Sequence, residues 1–140
     1  VILLAEINGY ILLKKGIERN QVTLLGTVPY TDLPSVYAQH DLFVFPSISE
    51  TFGHPLVEAM SMGLPVIASD TSIHREVCKD SAVYYSPFSI SDLAQKITEL
   101  QLNKTKYAIL SENGIKNSRK NFLWEKHVDR LISIMDNSRN

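Results

Sequence analysis

Two carboxylates, Glu50 and Glu58, bracket the stretch Thr51-Phe52-Gly53-His54-Pro55-Leu56-Val57. Pro55 suits the first position of a helix, where its missing N–H costs nothing. The N–H groups of Leu56 and Val57 would then face outward at the helix end, with the positive end of the helix dipole behind them. That combination is an anion site of the kind that takes a phosphate. Gly53 lets a ligand approach the backbone closely. Two carboxylates set against a diphosphate would repel it, so Glu50 and Glu58 are better employed on hydroxyl groups to either side. A carboxylate only accepts hydrogen bonds and suits a vicinal diol, as on a ribose or hexose. A molecule carrying ribose, diphosphate and sugar in series, a sugar nucleotide, satisfies all three elements. The plain alternative is an ordinary helix start, where proline is common and a glutamate is favoured by the dipole alone.

Such a site needs strands that end together and helices that begin beside them. Short apolar runs at Val1–Ala5, Gln21–Leu25, Asp41–Phe45, Val66–Ala68 and Ala82–Tyr85 are separated by stretches of helical length. Helices are expected from Tyr10 to Glu18, after the capping candidates Thr31 and Asp32, from Pro55 to a stop at Gly63-Leu64-Pro65, and from Ile73 to Cys78. After Ser91 the spacing is helical: Leu93, Ile97 and Leu100, then Tyr107 and Leu110, then Val128, Leu131, Ile132 and Met135. Strands apolar on both faces, alternating with helices, predict an α/β domain: a Rossmann-like parallel sheet with helices on both faces. In such a sheet ligands bind where strand carboxyl ends meet helix amino ends, and Pro46–Glu58 falls there.

The bulk properties bound the function. The chain has 140 residues, 44% hydrophobic and 21% charged, which suits one domain with a core of its own. A net charge of −1 gives no field to attract nucleic acid or an anionic membrane. The one cysteine, Cys78, excludes an internal disulfide and suits a reducing compartment; Lys79 beside it could lower its pKa slightly, but a structural or incidental thiol is the better reading. No apolar run approaches the roughly 18 residues of a membrane span. His40, His74 and His127 lack metal-ligand spacing, so no metal is expected. Asp41 reads as a local hydrogen-bond acceptor, and Arg75 and Glu76 as rim or surface charges. Trp124, with Phe122 nearby, is expected to pack the last helix onto the core. An apolar strand at the first position suggests a piece of a longer chain.

The stretch from Glu50 to Glu58, continuing Ala59-Met60, resembles the Glu-x7-Glu signature of glycosyltransferase family 4 and its relatives. Gly26-Thr27-Val28-Pro29, Leu33, Tyr37 and Asp41–Ser47 resemble the segment ahead of that signature. Gly63–Ser69, Glu76, Tyr84–Pro87, Asp92-Leu93 and Asn121–Glu125 continue the likeness in order. The resemblance implies the donor-binding, carboxy-terminal domain of a GT-B fold enzyme, acting with retention and without a metal or other cofactor. It implies Glu50 near the donor hexose as the catalytic carboxylate, and Glu58 on the ribose hydroxyls. The backbone of Phe52, Gly53 and His54 would line the hexose, that of Leu56 and Val57 the diphosphate, and Thr27, Val28, Pro29 and Tyr30 the base. His54 stands where the family often has Leu; it could donate to a diphosphate or simply turn to solvent. The family's basic pair, its first strand and helix, and an acceptor-binding amino-terminal domain would lie upstream; Lys14-Lys15-Gly16, ending a helix, is not that pair. The expected partner is a nucleotide-sugar donor, with no nucleic acid, and the expected location the cytoplasm or the inner membrane face. A non-catalytic nucleotide-binding module and a sugar-nucleotide epimerase are the rivals.

Overall fold

A computed structural model of the chain describes residues 2–4 and 23–137. Four parallel strands stand in the order β1 (Ile2–Leu4), β2 (Leu42–Phe45), β3 (Val66–Ser69) and β4 (Ala82–Tyr85). Leu3 pairs with Phe43, Val44 with Ile67, and Ile67 with Val83. Around them lie α1 (Leu33–Ala38), α2 (His54–Ser61), α3 (Ser72–Cys78), α4 (Ile90–Leu102), α5 (Lys104–Asn121) and α6 (Trp124–Asn137).

The strands divide their side chains by parity. Phe43, Phe45, Val66, Ala68 and Ala82 face one way and pack with Tyr37 of α1, Leu56, Ala59 and Met60 of α2, and Val77 and Cys78 of α3. Leu42, Val44, Ile67, Val83 and Tyr85 face the other way, under Leu100 of α4 and Leu110 of α5. A strand alternates its faces residue by residue, so strands buried on both sides must be apolar at every position. β2 and β3 are buried throughout.

Helix α5 closes one end of this sandwich. The Tyr107 hydroxyl donates to the carbonyl of Asp41 at 2.7 Å, that of Ser111 to Gly63 at 2.7 Å, and the Asn117 amide to Val77 at 2.9 Å. Those carbonyls lie just before β2, in the turn ahead of β3, and in the last turn of α3 ahead of β4, so one helix face spans the approaches to three strands. Gly114 on the same helix permits the contact with α2: a Cβ there would lie 3.3 Å from the Met60 Cβ and Cγ and 3.4 Å from its Cα. The carboxyl ends of β2, β3 and β4 lie away from these contacts.

The helix boundaries follow local signals. Thr71, Ser89 and Asn103 cap α3, α4 and α5 by accepting from the N–H groups of His74, Asp92 and Lys106. At the end of α2, Gly63 N–H bonds Met60 C=O and Leu64 N–H bonds Ala59 C=O, the paired closure that a left-handed residue after a helix allows.

Several expectations need correction. Thr23, Leu24 and Leu25 are not in a strand, and Leu24 and Leu25 are 66% and 50% exposed. Apolar β-formers make a strand only where a ladder partner takes their backbone groups. The remainder of that run, the helix from Tyr10 to Glu18 with Lys14-Lys15-Gly16, and the tail beyond Asn137 lie outside the described residues. Thr31 and Asp32 do not cap α1; they form a 3-10 turn, Tyr30–Asp32, that leads straight into it. Trp124 is 78% exposed, and Phe122 takes the anchoring role, meeting Phe52 edge-on with centroids 5.6 Å apart. Cys78 fits the structural thiol expected of it: burial pushes its thiol up to about 12, outweighing any lowering by the exposed Lys79.

Two outcomes test this packing. Gly114→Val should cost about 1–3 kcal/mol in urea unfolding, because the Met60 backbone cannot yield as a side chain would. Native Cys78 should react with a thiol reagent at pH 8 only as fast as the chain opens, and at once in denaturant.

Candidate functional site

The loop Pro46–Gly53 leaves the carboxyl end of β2 and delivers Glu50 to the edge that α5 leaves open. Its fixed end is Gly53, at φ 82° and ψ 57°, in the left-handed region. From there the chain enters α2 at His54, with Pro55 one position further in. The expected first helical position for Pro55 is therefore off by one residue. Leu56 N–H is also not turned outward as expected: it bonds Gly53 C=O at 3.0 Å, and the Leu56 side chain is wholly buried. The carbonyl of the residue before a helix accepts the first intrahelical bond, and here it meets the N–H three residues on.

Three loops at this edge are tied together. Ser69, at the end of β3 and fully buried, donates its hydroxyl to the carbonyl of Ser47. The His74 ring from α3 lies with Nδ1 2.8 Å from the Ser69 carbonyl, so Nδ1 carries the proton and donates. The ring is fully buried, edge-on to Phe45 at 5.3 Å, and its Nε2 has no partner among the described residues. Asp70 N–H bonds the Tyr85 carbonyl at 2.8 Å, joining the ends of β3 and β4. Arg75 grips the Asp70 carboxylate with two hydrogen bonds and lies over the Tyr84 ring at 4.5 Å. That guanidinium holds the Asp70 carboxyl below its usual range.

The two carboxylates of the signature differ in how they are held. Glu50 is half-exposed in the loop and takes no hydrogen bond among the described residues. Glu58 is half-buried on α2, and its Oε2 accepts the Tyr37 hydroxyl at 2.8 Å. Phe52 turns its ring inward, against Phe122, leaving its backbone to the loop. His54 is exposed, with its ring 4.9 Å from that of Phe52. Val57 is half-buried in the first turns of α2. Thr27 and Pro29 are exposed and Val28 is half-buried, in the segment that runs into α1 through the Pro29 carbonyl's bond with Asp32 N–H, 2.9 Å. Among the described residues no group of three His, Cys, Asp or Glu could hold a metal, and no helix is long and apolar enough to cross a membrane.

Sequence reasoning placed the loop and both acids but missed the groups that hold them. Tyr37 was visible only as part of the segment ahead of the signature, with no role of its own, and Ser69 and His74 as a strand end and a lone histidine.

The sheet and its two helix layers have the architecture of the carboxy-terminal half of the GT-B fold. The family described as Glycosyl transferases group 1 matches residues 11–117, and the chain belongs to that family. The O-antigen chain mannosyltransferase B of Escherichia coli is 32% identical over 122 residues, which are 87% of this chain and 32% of that protein. HepE of Anabaena, solved with UDP-glucose, superposes with a TM-score of 0.80 at 24% identity over 97% of this chain and 40% of its own. The carboxy-terminal domain of a group 1 glycosyltransferase (LpcC) from Francisella tularensis superposes with a TM-score of 0.68 at 23% identity, over 84% of this chain and 66% of that one. The chain thus spans about a third of the length of that mannosyltransferase.

Gly53→Ala tests the entry into α2. The new Cβ would sit 2.9 Å from Leu56 Cδ1, in a backbone region costly to an L side chain. Urea unfolding should register a loss of about 1–2 kcal/mol.

Proposed function

We propose that this chain is the donor-binding domain of a retaining, metal-independent glycosyltransferase that moves a hexose from a nucleoside-diphosphate sugar to an acceptor hydroxyl of a glycan or glycolipid. The observation that carries this is the amino end of α2 at the open sheet edge with Glu50 before it and Glu58 within it. Membership of the family supports it, as do the mannosyltransferase name of the E. coli relative and the UDP-glucose in HepE.

In this scheme the backbone of His54 and Val57 and the helix dipole meet the diphosphate, and Glu58 accepts from the ribose diol. The Phe52–His54 backbone lines the hexose, Thr27–Pro29 adjoin the base, and Glu50 faces the hexose hydroxyls. The Leu56 N–H, already bonded to Gly53, contributes only through the dipole of the turn it closes. The anomeric carbon–oxygen bond breaks with its electrons passing to the diphosphate. The acceptor oxygen attacks from the same face and gives its proton to the departing phosphate. Helix-end donors aimed at the leaving group stabilise the charge as it develops. An amino-terminal domain of the whole protein binds the acceptor, and no cofactor takes part. The work is placed in the cytoplasm, at or near the inner face of the membrane.

The test uses the full-length protein with a panel of UDP, GDP and ADP sugars, following release of nucleoside diphosphate. Glu50→Ala should lower kcat by about 100-fold or more. Glu58→Ala should chiefly raise KM for the donor, by about tenfold, the worth of one hydrogen bond to a charged group. Wild-type kinetics in both variants would refute the assignment, as would rapid turnover by the 140-residue chain alone.

A further inference from the structure

We propose that Tyr37 is a positioning residue for the donor site: it fixes the Glu58 carboxylate so that its remaining oxygen lone pairs face the ribose diol. This rests on the reading of Glu58 as the ribose ligand.

A glutamate on a helix has three rotatable bonds, and a ligand that needs both hydroxyls of a diol met at once must wait for one rotamer. Here one oxygen is already committed. Tyr37 Oη lies 2.8 Å from Glu58 Oε2, an ordinary distance for a hydroxyl donating to a carboxylate oxygen. The donor itself cannot wander. Tyr37 is 5% exposed, and its ring stands edge-on to Phe43 of β2 with centroids 5.8 Å apart. Burial, and then the Glu58 carboxylate, push its hydroxyl above the usual tyrosine range, so it stays protonated and donating. Glu58 Oε1, for which no protein partner exists among the described residues, is left for the ligand.

The position of Tyr37 in the chain adds a second consequence. It lies on α1, which continues from the Thr27–Pro29 segment through the 3-10 turn Tyr30–Asp32. The segment proposed to meet the base and the carboxylate proposed to meet the ribose are thereby tied through one hydroxyl. Base and sugar are neighbours in any nucleoside, so a link between the two protein elements sets the distance between them. Tyr37→Phe removes the hydroxyl and keeps the ring that packs on Phe43.

The experiment measures binding of UDP, GDP and their 2′-deoxy forms to the full-length protein, by calorimetry, for wild type and Tyr37→Phe. Thermal unfolding of both confirms that the fold is kept. For whichever base binds wild type, the 2′-deoxy form should bind about tenfold more weakly. In Tyr37→Phe the ribonucleotide should weaken several-fold while that ratio falls to about twofold or less. A merely structural role would weaken ribo and deoxy forms alike and leave the ratio unchanged. An unchanged ratio therefore overturns the positioning role alone. Failure of wild type to bind either diphosphate, or to discriminate against the 2′-deoxy form, overturns the ribose assignment and the positioning role with it.

Discussion

Burial of β2 and β3 on both faces governs the rest of the molecule. Strands apolar at every position must be covered twice, so helices occupy both flanks and only the two ends of the sheet remain for anything else. One end is spent on stability. Tyr107, Ser111, Gly114 and Asn117 lie along one face of α5, and between them they bond the carbonyls before β2, β3 and β4 and admit the contact with α2. The proposed donor site is thereby confined to the other end, where the loops after β2, β3 and β4 emerge side by side. The confinement is a matter of solvation: backbone groups at a sheet end must be paired or wet, and α5 pairs one set.

The parts legible in the sequence were those set by short-range physics. β2, β3 and β4 announce themselves as unbroken apolar runs, and Gly63-Leu64-Pro65 as a helix stop. The Glu50–Glu58 segment reads as a loop entering a helix for the same reason. The misreadings came where partners distant in sequence decide. Leu24 and Leu25 have β-forming neighbours but are exposed and outside the described ladder. Trp124 has the area to anchor a helix, yet Phe122 found the cavity beside Phe52. The role of α5 was invisible because Tyr107 reads as part of the apolar stripe with Leu110, and Ser111 and Asn117 as the polar face of an amphipathic helix. Only the fold brings carbonyls beneath them.

Gly53 shows how a local rule can be right in kind and wrong in detail. The glycine does permit an unusual backbone, but the result is a carbonyl folded into the first turn, onto Leu56 N–H. The entry is thus partly self-satisfied before any ligand arrives. Its cost is one fewer outward donor; its gain is a helix start held by the buried Leu56 side chain. Ser69 and His74 hold the other end of the same loop through the Ser47 carbonyl. Glu50 therefore rides on a segment fastened at both ends, although its own side chain takes no hydrogen bond among the described residues.

The contrast between the two acids follows from what each is proposed to meet. A ribose looks the same in every nucleotide, so a carboxylate assigned to it gains from being fixed in advance, and Glu58 is fixed by Tyr37. A hexose undergoing transfer changes shape at the anomeric centre as its bond breaks. A carboxylate assigned to that hexose does better with freedom to follow the change, and interactions that strengthen along the way are those that raise kcat. Glu50, without a hydrogen bond among the described residues on a loop fastened at both ends, has that character. The division of labour between binding and turnover would then be written into the two hydrogen-bonding environments rather than into the identity of the residues, which are the same.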